Sequence, residues 1–297
     1  MENGVITGLR EGDLDLAATL NSGQMFRWWR DADGAFVGTV GRRRLRLSQS
    51  DDGGRVHYAA DGPEADAFVR SFLRLDDIDL PAHAERWCRA DSLFAEAWAA
   101  QPGVRIVRQD PEECFFSFLC ASVAPIRRIS GMLTAVVNEC GTKLPDGYHA
   151  FPHAAELACV TEDRLRELGL GFRARRIAEA AKQLAELPPD WLPSLRARSH
   201  PDAREALCQF FFGLGWKIAD CICLFSLDKD DAIPVDTHIL RIAQTRYTPE
   251  LAGKSLTPAH YERITAAFRE RFGERAGWAQ QILFYRAAVG SRRENRG

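Results

Sequence analysis

The chain has 297 residues, of which 46% are apolar and 27% charged, with a formal net charge of −2. Those fractions are ordinary for a globular protein of about two domains, and no run of 18 apolar residues offers a membrane-spanning helix. A near-neutral total neither requires nor excludes a polyanionic partner, because such binding follows local charge. Residues 164–182 hold six Lys and Arg against two acids, and residues 51–66 one Arg against five acids.

The first 60 residues read as strands. AFVGTV (35–40), RRLRLSQ (43–49) and GRVHYAA (54–60) alternate or are β-branched, punctuated by Gly41 and by Asp51-Asp52-Gly53-Gly54. An antiparallel meander with one wet face is expected. After Pro63 the period becomes helical. Asp91-Ser92 caps a helix running to Gln101, and Pro102-Gly103 ends it, so a division is expected there: 1–103 as an α+β module, 104–297 as helical. In the second part, segments near 111–122, 126–140, 161–168, 173–187, 201–211, 216–227, 236–246, 257–271 and 276–289 carry apolar residues at i, i+3, i+4 spacing. Strands first and helices after place the chain in the α+β class. The tail SRRENRG is expected to fray. The start lacks a signal-peptide layout, and the eight cysteines show no disulfide-scaffold spacing. A reduced, intracellular protein is expected.

The chemistry concentrates in residues 207–240, LCQFFFGLGWKIADCICLFSLDKDDAIPVDTHIL. A helix is expected to stop at Phe212, a Gly213-Leu214-Gly215 turn to follow, and a second helix to start near Trp216. Two glycines two apart permit positive φ and close backbone approach, so their N–H groups and the next helix's N-terminus form an anion site suited to a phosphate. Lys217 lies in the first turn of that second helix, where the helix dipole disfavours a cation and favours the neutral amine that nucleophilic catalysis needs. Asp236 reads as the N-cap of the helix THILRIAQ. The second helix is about 18 Å long, and the return segment 228–235 reaches up to about 26 Å, so the chain can double back and set Asp236 near Lys217. Each feature also has a plain reading: an interhelical turn, a surface lysine, a cap. Cys221-x-Cys223 lies within a helix, which points the thiols apart and argues against a zinc site.

Gly-x-Gly-x-Lys-x-x-Asp-Cys followed by Pro-Val-Asp-x-His resembles the helix-hairpin-helix base-excision DNA glycosylases, and within them the 8-oxoguanine DNA glycosylase family. The similarity continues in SGQMFRW (22–28), RQDPEECFFSFLC (108–120), LGLGFRARRI (168–177), ADCICL (219–224), PVDTH (234–238) and GWAQQILF (277–284). It implies an N-terminal antiparallel sheet module, a helical region with the hairpin at about 201–227, and a bifunctional glycosylase and AP lyase of base-excision repair. Its partner would be double-stranded DNA containing oxidised guanine, with no membrane involved and the protein a monomer. By the same resemblance Lys217 attacks the sugar C1′ and forms a Schiff base, and Asp236 stabilises the positive sugar. Phe284 and Cys221 sandwich the base, Gln280 reads its edge, and the Gly23 carbonyl accepts the N7–H that guanine lacks. His238, with the Gly213 and Gly215 backbone, contacts phosphate. Arg128 and Arg173 hold the orphaned cytosine, and Phe172 and Val123 lie in the intercalating region.

Four positions depart from the family pattern. Val123-Ala124-Pro125 replaces consecutive asparagines, which implies weaker discrimination for cytosine opposite the lesion. Phe172 replaces a tyrosine. The hairpin reads Phe-Phe-Gly-Leu-Gly, with an extra residue before it, which leaves a structural alkali or alkaline-earth ion there open. Ala287 stands where the family has an aspartate, removing a partner of His238. No cofactor is expected, since no cysteine follows Cys223 to hold an iron–sulfur cluster. Two rivals remain: an alkyl-base glycosylase of the same fold, which lacks the lysine, and a non-catalytic hairpin DNA-binding protein, which needs only the glycines.

Overall fold

Alternation in the N-terminal residues resolves into an antiparallel sheet of five strands, in the order β1-β5-β4-β3-β2. The strands are β1 Glu2–Thr7, β2 Trp29–Arg30, β3 Phe36–Val40, β4 Arg43–Gln49 and β5 Arg55–Ala60. Register pairs Phe36 with Leu47, Leu47 with Tyr58, Leu45 with Ala60, and Ile6 with Val56, so one face carries the apolar side chains. That face packs on Leu16, Val69, Phe72 and Leu73, which come from helices α1 (Leu16–Leu20) and α2 (Ala65–Leu73). Strands β1 and β2 have no clear sequence signal. The first contains Asn3 and Gly4, and the second is only two residues long. The computed structural model describes residues 1–211 and 213–294, with the side chains of 289–294 excepted.

The other helices are α3 (Leu80–Ala90), α4 (Ser92–Ala100), α5 (Pro111–Cys120), α6 (Ile126–Cys140), α7 (Ala154–Leu157), α8 (Glu162–Leu165), α9 (Arg173–Ala185), α10 (Trp191–Ser194), α11 (His200–Phe210), α12 (Trp216–Ser226), α13 (Thr237–Ile242), α14 (Pro258–Phe272) and α15 (Ala276–Glu294). Polar residues cap the helix starts: Asp91, read as a cap from the sequence, and Asp110, Ser199 and Thr257 each accept a backbone N–H from the first turn of the helix they precede. The segments expected at 161–168 and 236–246 are each a short α-helix that widens into a π turn, at Arg166–Leu170 and Ala243–Tyr247. Gly169, at φ +90°, opens the first of these. Helix α15 continues through Glu294, so residues 291–294 of the tail expected to fray are helical. Residues 295–297 lie outside the described residues.

The larger of the two hydrophobic clusters crosses Pro102-Gly103. Trp87 of α3 and Phe94 of α4 meet Phe272 of α14 edge-on or tilted, and Trp87 Nε1 donates to Phe272 O at 2.9 Å. Arg105, buried and bonded to the carbonyls of Leu73 (2.9 Å) and Asp13 (2.7 Å), lies over the ring of Trp278 in α15. Burial lowers its guanidinium to about 10. The sheet module is thereby tied to the C-terminal helix that lines the site. No helix among the described residues is long and apolar enough to cross a membrane.

Candidate active site

The hairpin forms between α11 and α12. Helix α11 ends at Phe210; the expected end at Phe212 lies outside the described residues, as does part of the turn that would hold a structural ion. Gly213 takes φ +72°, and Gly215 is extended as the N-cap of α12. Both are exposed. A Cβ on Gly215 would meet nothing within 4 Å, and one on Gly213 would come 3.5 Å from the Arg176 guanidinium. The space over this turn is therefore open, bordered by a cation and by the positive end of a helix.

Lys217, in the first turn of α12, is half-buried with its Nζ 5.6 Å from the ring centre of Phe118. One turn on, buried Cys221 lies beside it; burial pushes the thiol up to about 11 while the lysine pulls the other way. Asp236 caps α13, its Oδ1 accepting from Ile239 N at 2.8 Å. Pro234 precedes it on the cleft wall and disfavours helical backbone before the cap. Lys217, Asp236, Gly23, Cys221, Gln280 and Phe284 all line one cleft of about 340 Å³, counting its open mouth. No ion pair within 4.0 Å joins Lys217 to Asp236.

Gly23 holds φ +81°, and a Cβ there would touch Phe284 at 3.6 Å. Its loop is fixed by fully buried Gln24, whose Nε2 donates to Arg105 O (2.8 Å) and whose Oε1 accepts from Val107 N (2.9 Å). Gln281 donates to Ser22 O at 3.2 Å, tying α15 to the same loop. Gln280 is only 2% exposed, yet its Oε1 has no hydrogen-bond partner. Such an orphaned buried acceptor costs about 1–3 kcal/mol. The His238 ring meets Phe284 edge-on, 5.8 Å between centres.

The remaining candidates gather at another edge. Val123 is 95% exposed at φ +51°, a genuine outlier for a β-branched residue, and Phe172 is 64% exposed. Arg173 is buried: Nε donates to Ser122 O at 3.1 Å, Nη2 to Val123 O at 3.2 Å, and the guanidinium stacks on Phe172. Burial, with Arg128 nearby, lowers its pKa. Arg128 is exposed on the first turn of α6.

Sequence reasoning missed Phe118, Phe225, Pro234 and Gln281, which also line the cleft and read as core or loop. It also missed Asp220, fully buried in α12. Its signal was present: an acid inside the apolar run ADCICLF.

The family model for the 8-oxoguanine DNA glycosylase N-terminal domain matches residues 7–115, and that for the HhH-GPD superfamily of base excision DNA repair proteins matches 117–272. The chain is 38% identical over 287 residues to N-glycosylase/DNA lyase OGG1 of Arabidopsis thaliana, covering 93% of this chain and 78% of that protein. The chain belongs to the 8-oxoguanine DNA glycosylase family. Within it, the N-glycosylase/DNA lyase of Saccharomyces cerevisiae is 30% identical, over 95% of this chain and 86% of that protein. The Clostridium acetobutylicum 8-oxoguanine glycosylase/lyase, solved with DNA containing cytosine opposite 8-oxoG, superposes with a TM-score of 0.83 at 27% identity, over 97% and 98% of the two chains.

Proposed function

We propose that Lys217 and Asp236 carry, across the cleft between them, the base excision and strand cleavage of this family member. The chain is a DNA N-glycosylase with associated lyase activity in the repair of 8-oxoguanine. Base chemistry in a duplex requires the nucleotide to be turned out of the stack into a pocket. The Lys217 amine attacks C1′ and the base leaves with the electrons of the glycosidic bond. Loss of the amine proton and opening of the sugar ring give a Schiff base, and abstraction of a C2′ proton then expels the 3′ phosphate. Asp236, anchored by its cap bond, offsets the positive charge that develops at the anomeric carbon.

The base is held by the rest of the cleft. Phe284 and the neutral Cys221 thiol take its two faces, Gln280 its edge, and the Gly23 carbonyl the N7–H, where guanine would set acceptor against acceptor. His238, Gly213 and Gly215 hold backbone phosphates. Phe172 and Val123 occupy the vacated stack, with Arg128 and Arg173 toward the orphaned base. Nucleophile and anion are both side chains, so no cofactor is needed.

The observation that carries this reading is that the amine and the carboxylate line one cleft without pairing, so neither neutralises the other. Borohydride trapping with a duplex containing 8-oxoguanine tests it. A covalent adduct is expected with the wild type and none with Lys217→Gln, which should still bind the duplex. An adduct that survives Lys217→Gln overturns the assignment, and tight binding without any adduct indicates a non-catalytic hairpin module.

A further inference from the structure

The two reacting groups stand on different elements, Lys217 on α12 and Asp236 as the N-cap of α13, and ten residues of irregular chain (227–236) separate those helices in sequence. A loop of that length does not by itself hold a carboxylate at a fixed distance from an amine. Something else must set the gap.

Three residues after Lys217 on α12, Asp220 is fully buried. Its Oδ1 lies 2.7 Å from His200 Nε2. Its Oδ2 accepts from the Tyr261 hydroxyl at 2.7 Å. The same hydroxyl accepts from Val235 N at 3.2 Å and lies 3.1 Å from Ile233 O. Val235 is the residue immediately before Asp236. Tyr261 is 4% exposed and its ring stands edge-on to Trp216, the first residue of α12, at 5.5 Å. Burial and the neighbouring Asp220 raise the Tyr261 pKa well above its ordinary value, so the hydroxyl keeps its proton and stays a donor. A phenol that donates to a carboxylate becomes a better acceptor, which strengthens its bond to Val235 N–H.

We infer that Tyr261 is a positioning residue for the reaction: its hydroxyl bridges Asp220 of the Lys217 helix to the backbone of Ile233 and Val235, and so fixes the gap between amine and carboxylate. The bridge is short, and neither Asp220 nor Tyr261 lines the cleft. Tyr261 touches neither catalytic group, so it acts through where they stand. The inference rests on the catalytic roles proposed for Lys217 and Asp236.

The test is Tyr261→Phe in the full chain, which removes one oxygen and leaves Asp220 its His200 bond. Two quantities are read with a duplex containing 8-oxoguanine: the single-turnover rate of base release at saturating enzyme, and affinity for the same duplex carrying a tetrahydrofuran abasic analogue. Misplacement of reacting groups by a fraction of an ångström to an ångström costs roughly ten- to a hundredfold in rate. That loss is expected in base release, with affinity within about twofold of wild type, since none of the proposed DNA contacts is altered. Asp220→Asn weakens the acceptor at the end of the same bridge and should lower the rate in the same sense, and the double variant should lose no more than the larger single loss, because both changes act on one bridge. A wild-type rate for Tyr261→Phe, or losses that add in the double variant, overturns the inference. So does a proportional fall in rate and affinity with a lowered melting temperature, which marks a purely structural role. Lys217→Gln is trapped in parallel: an adduct there brings down the catalytic assignment itself, whatever Tyr261 does.

Discussion

Arg173 donates from Nη2 to the carbonyl of Val123 at 3.2 Å while the Val123 side chain stands 95% exposed at φ +51°. A buried cation thus braces a turn whose apex side chain is apolar and strained. Left-handed backbone in a β-branched residue costs on the order of 1–3 kcal/mol and persists only where the surroundings over-determine it, which is common at functional sites. Asparagine tolerates this conformation. Val123→Asn is expected to raise stability by about 1 kcal/mol in denaturant melts. It should also steepen the preference for the lesion opposite cytosine, by restoring a hydrogen-bonding wedge. Excision rates opposite C, A, G and T measure this; a wild-type enzyme already steeply selective for cytosine would remove the premise.

Gln280 poses the opposite trade. Its Oε1 is buried without a partner, so the free protein carries a cost that a bound base edge would relieve. Gln280→Leu is expected to gain up to about 1 kcal/mol of stability. Base excision should fall by about 10²-fold, the scale of losing a hydrogen bond that reads substrate. If the variant is both less stable and fully active, Gln280 is a packing residue.

The pH dependence of stability follows from His200. Burial opposes its charge, but hydrogen bonds to Asp220 and Asp231 outweigh that and raise its pKa. A raised folded pKa means stabilisation that is complete below the unfolded value of about 6.5 and lost as pH rises through the folded value. Asp231 is lowered: burial opposes its charge, but the bond to His200 outweighs it, so its contribution is present above the unfolded carboxylate range and lost in acid. The His200 network should therefore contribute most in the window between the two. Melting temperatures of wild type and His200→Gln across pH 4 to 9 check this: the difference is expected to narrow on the alkaline side, and a constant difference would refute the charged pair.

Much of the site was legible because its residues break local rules. Lysine in a first helical turn, a Gly-x-Gly between helices and an Asp placed to cap are each locally conspicuous, and the chain brings Lys217 and Asp236 into one cleft as the reach of residues 228–235 allows. Gly23 and Gln280 entered only through the family resemblance; nothing local in SGQMF distinguishes a pocket wall from a turn. Strand β1 was hidden because edge pairing with β5 compensates for the poor strand propensity of Asn3 and Gly4, a tertiary effect. The division expected at Pro102-Gly103 marks a helix end, but aromatic packing of Trp87 and Phe94 on Phe272 carries the core past it. Tyr261 reads as one apolar position of an amphipathic helix, and its hydroxyl acquires meaning only from Asp220, 41 residues away in sequence.

The two hairpin glycines should separate folding from binding. Gly213 needs its positive φ of +72°, so Gly213→Ala is expected to cost about 1 kcal/mol or more of stability. Gly215 has φ −84° and open space where a Cβ would stand, so Gly215→Ala should leave stability within about 1 kcal/mol, the loss of a favourable N-cap glycine offsetting the gain from a stiffer unfolded chain. That added methyl would nevertheless stand where a phosphate approaches the first N–H groups of α12. Duplex affinity should fall, and the slope of log K against log salt should weaken by about one for the lost phosphate contact. Chemical denaturation and salt-titrated binding on the same preparations decide the matter. Wild-type affinity for Gly215→Ala would mean that the turn is a scaffold and that phosphate is gripped elsewhere.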